Sequence, residues 1–474
     1  MWLSELISRL DGARAYNLTD SRVCGITYDS RRVKQGYIFA ALGGEKHTPS
    51  DYISDAVERG AAAILTDDQL IATSTQNAIK CNNARKTMAE ISKLLYANRL
   101  DDMSIIAVTG TKGKTTTSHC LYSILKSCGV RSILIGTNGI LLDDRSSALV
   151  GGFNTTPEAP ELYRALSVAY RRGVRVAIVE VSSQALIKYR IHGLPVSVAV
   201  FTNFSEDHIG KSEHASLEDY YLAKRSLFTS YGARFAVLNA SAKESRTIAK
   251  GVPRRLLVAA KIIGTDSTFR TRFIYGGEEF TVCGGSYNAE NAALAIAVAE
   301  IVSGIPRRFY APSIAGFRAE GRFECYTLYG KLAVIDYAHN EQSVRALLSD
   351  IRSHVEGRII CVFGSVGMRS LGRRAALARA AEQYADFSII TADNPDFEPV
   401  ERICDEILTH FRDKRRACIL TDRSYAIAKA VSLAKRGDTV VLLGKGHERF
   451  QLSNGKRVPF SERAILFALG AKRN

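Results

Sequence analysis

Continuous apolar runs recur along the chain, and most of them are followed by a segment in which apolar and polar residues have helical spacing. A run that is apolar on both faces is typical of a strand buried in a parallel sheet. Alternation of such strands with helices predicts an α/β protein built on parallel sheets. The predicted strands are residues 37–41, 61–66, 104–109, 131–135, 174–179, 196–201, 235–238, 332–336, 359–363, 387–391, 417–420 and 439–443.

The predicted strands form three blocks. In the first, two short strands flank a predicted helix at 50–59; in the second, a strand leads into a Gly/Lys/Thr loop and a long helix at 115–128. The third block repeats the alternation from residue 321, as in a smaller doubly wound domain. With 474 residues and about 150 residues per domain, we expect three domains with borders 1–99, 100–320 and 321–474.

The composition, with 46% hydrophobic and 24% charged residues, is that of a protein that folds and remains in water. No apolar run approaches the roughly 18 residues that a membrane-spanning helix needs. Glu5 interrupts the start of the chain, where a signal peptide has an apolar core. We therefore expect a cytoplasmic protein without a membrane span. The nine cysteines include no Cys-x-x-Cys pair, which excludes a zinc ribbon and predicts reduced thiols.

The net charge of +16 comes from 64 Lys and Arg against 48 Asp and Glu. Nucleic acid, an anionic membrane surface and a phosphate-bearing substrate are the candidate partners for such a charge. The basic residues are scattered in pairs such as Arg171-Arg172 and Arg307-Arg308, without interleaved aromatic residues that could stack on bases. We therefore expect a phosphate-bearing substrate and no nucleic acid.

The clearest motif is Thr-Gly-Thr-Lys-Gly-Lys-Thr-Thr-Thr at residues 109–117, between a predicted buried strand and a predicted helix. Glycines let backbone N–H groups approach phosphate oxygens, and the helix N-terminus adds its positive end. Lys114 supplies a positive charge and Thr115 a hydroxyl group for Mg²⁺. The spacing Gly-x-x-Gly-Lys-Thr is shorter than in the usual P-loop, but lysine and threonine keep their register. The motif predicts a nucleoside triphosphate site.

Three further segments carry candidate chemistry. Glu180 ends a predicted strand, where a carboxylate beside a triphosphate is a natural Mg²⁺ ligand; a surface carboxylate is the alternative. Asp207 and His208 follow another predicted strand. Lys224 lies on a helix that Ser216 is expected to cap. A helical lysine alone is usually a solvated surface residue, so its interpretation depends on its neighbours.

In this order and spacing, the phosphate loop, Glu180-Val-Ser-Ser, Asp207-His208 and Tyr-x-x-Ala-Lys224 resemble the motifs of the Mur ligase family of ATP-dependent peptide-bond-forming enzymes. The resemblance extends over nearly the whole chain. Segments outside the nucleotide site resemble the members that add the third residue of the peptidoglycan stem peptide. These segments are 29–31, 154–157, 321–324, 336–340, 364–369, 393–396 and 444–448.

The resemblance implies a three-domain architecture: a small N-terminal UDP-binding α/β domain, a central P-loop ATPase domain with a parallel sheet, and a Rossmann-like C-terminal domain. It implies a reaction in which ATP converts a carboxylate of UDP-N-acetylmuramyl-L-alanyl-D-glutamate into an acyl phosphate, which an amino acid then attacks. The implied cofactors are ATP, Mg²⁺ and CO₂, the last forming a carbamate on Lys224. The implied partners are these small-molecule substrates, and we expect a monomer.

The same resemblance assigns residues to each ligand. The catalytic set is Lys114, Glu180, His208 and Lys224, and the metal set is Thr115, Glu180, His208 and carbamylated Lys224. The ATP set is Gly110, Thr111, Lys112, Gly113, Lys114, Thr115, Thr116, Asn288, Asn291, Arg322, Asp336 and His339. The set for the UDP-linked dipeptide is Ser30, His47, Asn154, Thr155, Thr156, Ser182, Lys188 and Arg190. The amino-acid set is Arg369, Asp393, Asn394, Pro395, Asp396, Gly444 and Glu448.

One position departs from the family pattern. Members that add meso-diaminopimelate read Asp-Asn-Pro-Arg, and the arginine binds the distal carboxylate, whereas this chain has Asp396 there. A carboxylate repels a distal carboxylate and attracts a distal ammonium group, so we expect lysine or another basic diamino acid. Diaminopimelate stays the alternative, because Arg369 and residues 444–448 resemble a diaminopimelate-type pocket.

Three other functions stay open. A folylpolyglutamate synthetase or cyanophycin-type ligase would share the nucleotide motifs, although residues 154–157 and 393–395 argue against both. A non-catalytic Mur-like subunit would be expected to carry a four-cysteine zinc ribbon, which this sequence lacks, and would have no reason to keep His208 and Lys224. A basic P-loop ATPase acting on nucleic acid is the third, and stimulation of ATP hydrolysis by DNA would reveal it.

Overall fold

The computed structural model describes residues 1–43, 48–97, 99–142, 145–147, 154–206, 214–368 and 371–473. The chain forms two compact units: unit 1 comprises Met1–Ala259 and Leu294–Pro306, and unit 2 comprises Ala260–Ala293 and Arg307–Asn474. Short 3₁₀ helices occur at Ser30–Arg32, Pro49–Tyr52, Leu100–Asp102, Arg307–Tyr310 and Lys414–Arg416. Among the described helices, none combines the length and hydropathy that crossing a membrane requires.

The first part of unit 1 is a small five-stranded sheet with its helices. Its strands are β1 Arg14–Tyr16, β2 Gly25–Thr27, β3 Tyr37–Ala40, β4 Ala61–Thr66 and β5 Ala78–Lys80, and its helices are α1 Leu3–Ser8, α2 Ile53–Glu58, α3 Gln69–Ser74 and α4 Ala84–Tyr96. The strand order is β1-β5-β4-β3-β2, and only β1 pairs antiparallel. Helix α4 begins after Asn83, whose side chain accepts the Lys86 N–H, and it packs Met88 and Ile91 into the core of this sheet.

The second part of unit 1 is an eight-stranded sheet. Its strands are β6 Ser104–Thr109, β7 Ser132–Gly136, β8 Gly139–Leu142, β9 Arg145–Ser147, β10 Val176–Glu180, β11 Val196–Phe201, β12 Phe235–Asn239 and β13 Arg254–Val258. Its helices are α5 Lys114–Ser127, α6 Ala159–Arg171, α7 Ser183–Ile187, α8 Leu217–Ser226 and α9 Ser245–Ile248. The strand order is β13-β12-β11-β6-β10-β7-β8-β9. The strands from β13 to β7 are parallel, and β8 and β9 continue the sheet beyond β7 as antiparallel strands.

Strand β6 lies at the centre of this sheet, between β10 and β11. The register places Val108 beside Glu180 on one side and Thr109 beside Phe201 on the other. All five residues of β10 are buried, because helices cover both faces of the sheet. Since parallel strands end at the same edge, the segments that follow β6, β10 and β11 meet there, where ligands bind in such sheets.

Unit 2 contains a small antiparallel sheet, a larger mixed sheet and a hairpin. Its strands are β14 Lys261–Thr265, β15 Arg270–Tyr275, β16 Glu278–Cys283, β17 Glu324–Leu328, β18 Lys331–Asp336, β19 Ile359–Phe363, β20 Phe387–Ile390, β21 Ala417–Ile419, β22 Thr439–Leu443, β23 Phe450–Ser453, β24 Lys456–Pro459 and β25 Lys472–Arg473. Its helices are α10 Ser286–Ser303, which extends into unit 1, α11 Ala311–Ala315, α12 Glu341–Arg352, α13 Leu371–Tyr384, α14 Val400–Thr409, α15 Arg423–Leu433 and α16 Glu462–Ala468.

The seven-stranded sheet of unit 2 has the order β21-β20-β19-β22-β18-β17-β25. It is parallel from β21 to β18, whereas β17 and β25 add antiparallel strands at one edge. Strands β14, β15 and β16 form a separate antiparallel sheet, and β23 pairs with β24. All the predicted strands are present, and the α/β class is confirmed. Strands β14 and β24 were not predicted, because they are largely exposed and lack a continuous buried run.

Candidate active site

The loop between β6 and α5 forms the candidate phosphate site. Two glycines allow its path: Gly113 has a φ of +82°, and a Cβ at Gly110 would lie 1.9 Å from Thr202 Oγ1. The Lys112 N–H donates to Asn203 Oδ1 at 2.9 Å, which holds the loop against the segment after β11. The loop therefore ends with the N-terminus of α5 in the arrangement that binds anions.

Two lysines converge on the carbonyl oxygen of Gly110. Lys114 Nζ donates to it at 2.8 Å and to Thr111 O at 3.0 Å, and Lys224 Nζ donates to it at 2.9 Å. Lys224 is 1% exposed, and its Nζ lies 4.4 Å from the centre of the Tyr220 ring. The structure thus brings together two lysines of the predicted catalytic set. The two ammonium groups therefore lie close together, and like charges at such a distance repel each other.

Glu180, at the end of β10, is surrounded by hydroxyl groups. Thr115 Oγ1 and Thr137 Oγ1 both donate to Glu180 Oε2, at 2.8 and 2.9 Å. These hydroxyl oxygens lie 3.3 Å apart, and Thr137 Oγ1 lies 3.2 Å from Thr155 Oγ1. A Cβ at Gly136 would lie 2.1 Å from Glu180 Oε1, so glycine gives the carboxylate its room. The side chain is 0% exposed, unlike a surface carboxylate at a strand end.

This donor set fits a magnesium ion, because hydroxyl and carboxylate oxygens are the hard ligands that Mg²⁺ prefers. Asp207 and His208, the next candidates along the chain, lie outside the described residues, as does His47. Within the described ranges, no group of three or more His, Cys, Asp or Glu side chains is arranged to hold a metal ion. The described oxygen donors that could hold such an ion are those of Thr115, Glu180 and the neighbouring Thr137.

Several residues predicted for the UDP-linked dipeptide lie beside Glu180. Thr156 Oγ1 donates to Glu180 O at 2.8 Å and accepts the Ser182 N–H at 3.1 Å. Arg190, 5% exposed, donates through Nε to Glu158 Oε1 at 2.8 Å and through a terminal nitrogen to Thr156 O at 3.1 Å. The residues from two separate loops therefore form one cluster around the end of β10.

Three residues of the same predicted set have no described contact with this cluster. Ser30 is buried in its 3₁₀ turn and hydrogen-bonds to Asp55. Asn154 is exposed, and Lys188 follows α7, where its N–H donates to Gln184 O at 2.9 Å. The described contacts do not connect these three residues to the Glu180 cluster.

In unit 2, three residues of the predicted ATP set lie around Tyr337. The Arg322 guanidinium lies 4.7 Å from the centre of the Tyr337 ring, and the His339 and Tyr337 ring centres are also 4.7 Å apart. Asp336 accepts the Phe323 N–H at 2.8 Å. Asp336 therefore fixes the turn that carries Arg322, in addition to any contact with a ligand.

The histidine of this group is neutral at physiological pH. Burial, and the nearby Arg373 cation, lower the pKa of His339 to about 4. The same arginine donates to His339 O at 2.8 Å. A neutral imidazole can form hydrogen bonds but does not neutralise phosphate charge.

The two asparagines predicted on the adenine side both lie in the first turns of α10. Asn288 is 5% exposed and Asn291 is 6% exposed. Asn288 Nδ2 donates to Cys283 O at 2.9 Å, which ties the helix to the end of β16.

The residues predicted for the amino acid meet around Lys445, which was not in the predicted set. Its fully buried Nζ lies 2.7 Å from Asn394 Oδ1, 2.7 Å from Glu448 Oε2 and 3.6 Å from Asp393 Oδ1. Asn394 Nδ2 also donates to Glu448 Oε2 at 2.9 Å. Gly444, with a φ of +103°, lets the chain pass close to Asp393. Two carboxylates and one ammonium group give these three side chains a net negative charge.

Asp396 is attached to the β23–β24 hairpin. Its Oδ1 accepts the Gly455 N–H at 2.8 Å, its own N–H donates to Leu452 O at 2.9 Å, and it forms a backbone bridge with Ser453. One oxygen of the Asp396 carboxylate therefore stabilises the hairpin turn. This is the carboxylate that the sequence links to the choice of amino acid. Pro395 precedes it, and Arg369 lies outside the described residues.

Sequence reasoning missed Thr137, Asn203 and Lys445. Thr137 follows the end of β7, the neighbour of β10. Ligand-binding groups follow the carboxyl ends of parallel strands, so the argument that selects Glu180 also selects Thr137. Asn203 likewise follows β11. Lys445 lies inside the segment 444–448, but a buried lysine leaves no distinct sequence signal.

Three family descriptions match consecutive parts of the chain: "Mur ligase family, catalytic domain" at 22–108, "Mur ligase middle domain" at 108–299 and "Mur ligase, glutamate ligase domain" at 321–446. The UDP-N-acetylmuramoyl-L-alanyl-D-glutamate–2,6-diaminopimelate ligase of Aquifex aeolicus is 33% identical over 456 residues, covering 94% of this chain and 93% of the relative. The chain belongs to the Mur ligase family.

Other Mur ligases of the same name are similar over their whole length. The protein of Streptomyces avermitilis is 33% identical, with 98% of this chain and 95% of the relative covered. The protein of Geobacillus thermodenitrificans is 32% identical, with both chains fully covered. A solved structure of a ligase with this name superposes with a TM-score of 0.65 at 28% identity and covers 94% of each chain.

These comparisons confirm the predicted family, the three-domain Mur ligase architecture and the assignment to ATP-dependent ligases. The Mur ligase relatives are named for diaminopimelate, which matches the alternative stated for the added amino acid.

Proposed function

We propose that this chain catalyses the ATP-dependent addition of a diamino acid to UDP-N-acetylmuramyl-L-alanyl-D-glutamate, the type of reaction for which its relatives are named. The observation that carries the proposal is the cluster of Thr115, Thr137 and Glu180 at the carboxyl ends of β6, β7 and β10, next to the glycine loop and Lys114. Phosphoryl transfer from ATP needs this combination of phosphate-binding backbone, a lysine and hard oxygen ligands. Because ATP and UDP-linked precursors are cytoplasmic nucleotides, the proposal places the enzyme in the cytoplasm.

The residues of unit 1 would perform the activation step. The loop N–H groups and Lys114 bind the ATP phosphates, and Lys114 stabilises the charge on the γ-phosphoryl group as it moves to the substrate carboxylate. Thr115 and Glu180 would hold Mg²⁺, which offsets phosphate charge. Arg190, held in place by Glu158 and Thr156, offers its guanidinium to a carboxylate of the acceptor dipeptide. The amino group of the incoming amino acid then displaces phosphate from the acyl phosphate and forms the amide.

In this proposal Lys224 reacts with CO₂ to form a carbamate, and His208 is a further metal ligand. The support for the carbamate is the burial of Lys224 and the shared contact of Lys224 and Lys114 with Gly110 O. Carbamylation replaces a cation by an anion, which turns the repulsion between the two side chains into attraction.

The proposed domain borders are 1–99 for UDP binding, 100–320 for ATP binding and 321–474 for the amino acid. In their support, α4 ends at Tyr96, β6 starts at Ser104 and β17 starts at Glu324. The small sheet from Lys261 to Cys283 belongs to the central stretch by sequence, although it packs within unit 2.

For the added amino acid, meso-diaminopimelate is the first candidate, supported by the names of the relatives. Lysine or ornithine is the second, favoured by the charge of Asp396. The hydrogen bond from Gly455 to Asp396 weakens this second argument, because it gives the carboxylate a role in the hairpin.

The test is a ligation assay with ATP, Mg²⁺ and the UDP-linked dipeptide, in which diaminopimelate, lysine and ornithine are offered separately and product mass is read. We expect product with diaminopimelate and none from a Lys114→Ala variant. Asp396→Asn keeps an acceptor for the Gly455 N–H and removes the charge, whereas Asp396→Ala removes both. A changed ratio of kcat/KM for diaminopimelate and lysine in Asp396→Asn would show that the charge selects the substrate. No product with any of the three amino acids would refute the proposed function.

A further inference from the structure

Two cysteine thiols of unit 2 lie side by side. Cys283 ends β16 and Cys325 lies in β17. Both thiols contact the same backbone acceptor: Phe323 O lies 3.9 Å from Cys283 Sγ and 4.0 Å from Cys325 Sγ. Two thiols that share one acceptor atom are close neighbours, and a disulfide forms when their sulfur atoms approach to about 2.05 Å.

The two thiols differ in acidity and in exposure. The neighbouring Cys325 thiol and the nearby Arg318 cation lower the pKa of Cys283 to about 7 in spite of its burial, whereas the pKa of Cys325 is raised. By contrast, burial raises the pKa of Cys404 to about 12. Cys283 is 7% exposed and Cys325 is 1% exposed. Because the thiolate is the reactive form, Cys283 is the thiol that meets an oxidant first.

The pair lies next to two segments of the predicted ATP set. Asn288 donates to the carbonyl of Cys283, and the carbonyl that both thiols contact belongs to Phe323, the residue after Arg322. A covalent bond between the thiols would join β16 to β17. It would therefore restrain the start of α10 relative to the turn that carries Arg322.

We propose that Cys283 and Cys325 form a reversible disulfide in response to hydrogen peroxide, and that this bond slows the enzyme by restraining the segments at Asn288 and Arg322. The slowing rests on the proposed function, whereas the formation of the disulfide does not.

The chemistry balances in two steps. The Cys283 thiolate attacks one peroxide oxygen, so that an S–O bond forms, the O–O bond breaks, and the departing hydroxide takes a proton from solvent to give water and a sulfenic acid. The Cys325 sulfur then attacks the sulfenic sulfur, so that the S–S bond forms and the S–O bond breaks. The departing hydroxide takes the Cys325 proton and leaves as water. Two thiols lose two electrons in total, one peroxide becomes two waters, and a dithiol reductant reverses the bond.

The experiment exposes the purified full chain to hydrogen peroxide, blocks remaining thiols with N-ethylmaleimide and maps peptides without reduction. We expect a cross-linked peptide pair containing residues 283 and 325 and an unblocked intact mass lower by about 2 Da, both reversed by dithiothreitol. Cys283→Ser and Cys325→Ser should each abolish the cross-link. Cys404→Ser, which removes a buried thiol of high pKa, is the matched control and should cross-link like the wild type.

The functional readout is the KM for ATP before and after oxidation. We expect an increase of about tenfold in the oxidised wild type, recovery with dithiothreitol, and no change in the Cys283→Ser variant. Absence of the cross-link at peroxide concentrations that oxidise the exposed Cys24 would overturn the disulfide. A complete cross-link with an unchanged KM and kcat would overturn the restraint. If the reduced protein shows no ligation, the proposed function fails; the peptide map still decides the disulfide, and stabilisation by ATP against heat decides the restraint.

Discussion

Replacement of Thr137 by valine removes one hydroxyl group from the Glu180 cluster and preserves the shape of the side chain. In the structure this hydroxyl donates to Glu180 Oε2 at 2.9 Å, and Glu180 is 0% exposed. A hydrogen bond to a charged group contributes about 1.5–3 kcal/mol, and burial of the carboxylate leaves little water to replace it. Since about 1.4 kcal/mol corresponds to a factor of ten, local opening of the cluster should become about ten to a hundred times more frequent.

Hydrogen–deuterium exchange with mass spectrometry measures this opening locally. Exchange in peptides that contain β7 and β10 should accelerate by that factor in Thr137→Val, and exchange in peptides that contain β19 should not change. Thr137→Ser keeps the hydroxyl group and is the matched control, expected to behave like the wild type. Calorimetric titration with Mg²⁺ and ATP should show a Kd about ten times higher for the valine variant alone.

Equal exchange and equal Kd in Thr137→Val and wild type would refute this reasoning. The position of the Glu180 carboxylate would then come from the sheet and from Thr115, and the contact of Thr137 with Glu180 would contribute nothing measurable.

Three further changes have defined outcomes. Lys445→Met leaves the neighbouring Glu448 carboxylate without its buried cation, so we expect a loss of roughly 3–5 kcal/mol in stability and a lower Tm, and an unchanged Tm would contradict the ion pair. Because the pKa of His339 falls from 6.5 to about 4 on folding, the unfolded chain binds the proton first. Stability should therefore fall as the pH drops from 6.5 to about 4, and His339→Gln should flatten the dependence of Tm on pH in that window. Lys224→Ala should keep its stabilisation by ATP against heat and lose both ligation and the carbamate signal from ¹³CO₂ in NMR; near-normal turnover would remove the carbamate from the mechanism.

The strands that could be predicted were those that form continuous buried apolar runs. Strands β6, β11 and β22 are apolar on both faces because they lie inside parallel sheets, and their bounds matched the apolar runs. Strand β14 could not be found in this way, because its side chains from Lys261 to Gly264 are exposed and its stability comes from pairing with β15. Pairing partners depend on the fold of the whole chain and leave little trace in a short window.

The same limit applied to the candidate site. Glu180 and Lys224 could be found from their motifs, but the contact between Thr137 and Glu180 depends on β7 and β10 being neighbours in the sheet. The charge of Asp396 was visible in the sequence, whereas its bond to Gly455, 59 residues further along the chain, was not. Motifs therefore located the chemistry, and the sheet order determined which side chains support it.

The pairing of β6 with β10 also limits where this chain can gain or lose residues. Side chains alternate across a strand, so one residue inserted within β10 would turn Glu180 to the opposite face of the sheet, away from Thr115. Two inserted residues would restore the face but move the carboxylate by about 6.6 Å along the strand, out of hydrogen-bonding distance of both threonines. Length variation between homologues, and insertions in engineered libraries, should therefore be confined to the loops before β10 and after α7, while the five residues of β10 keep a constant length.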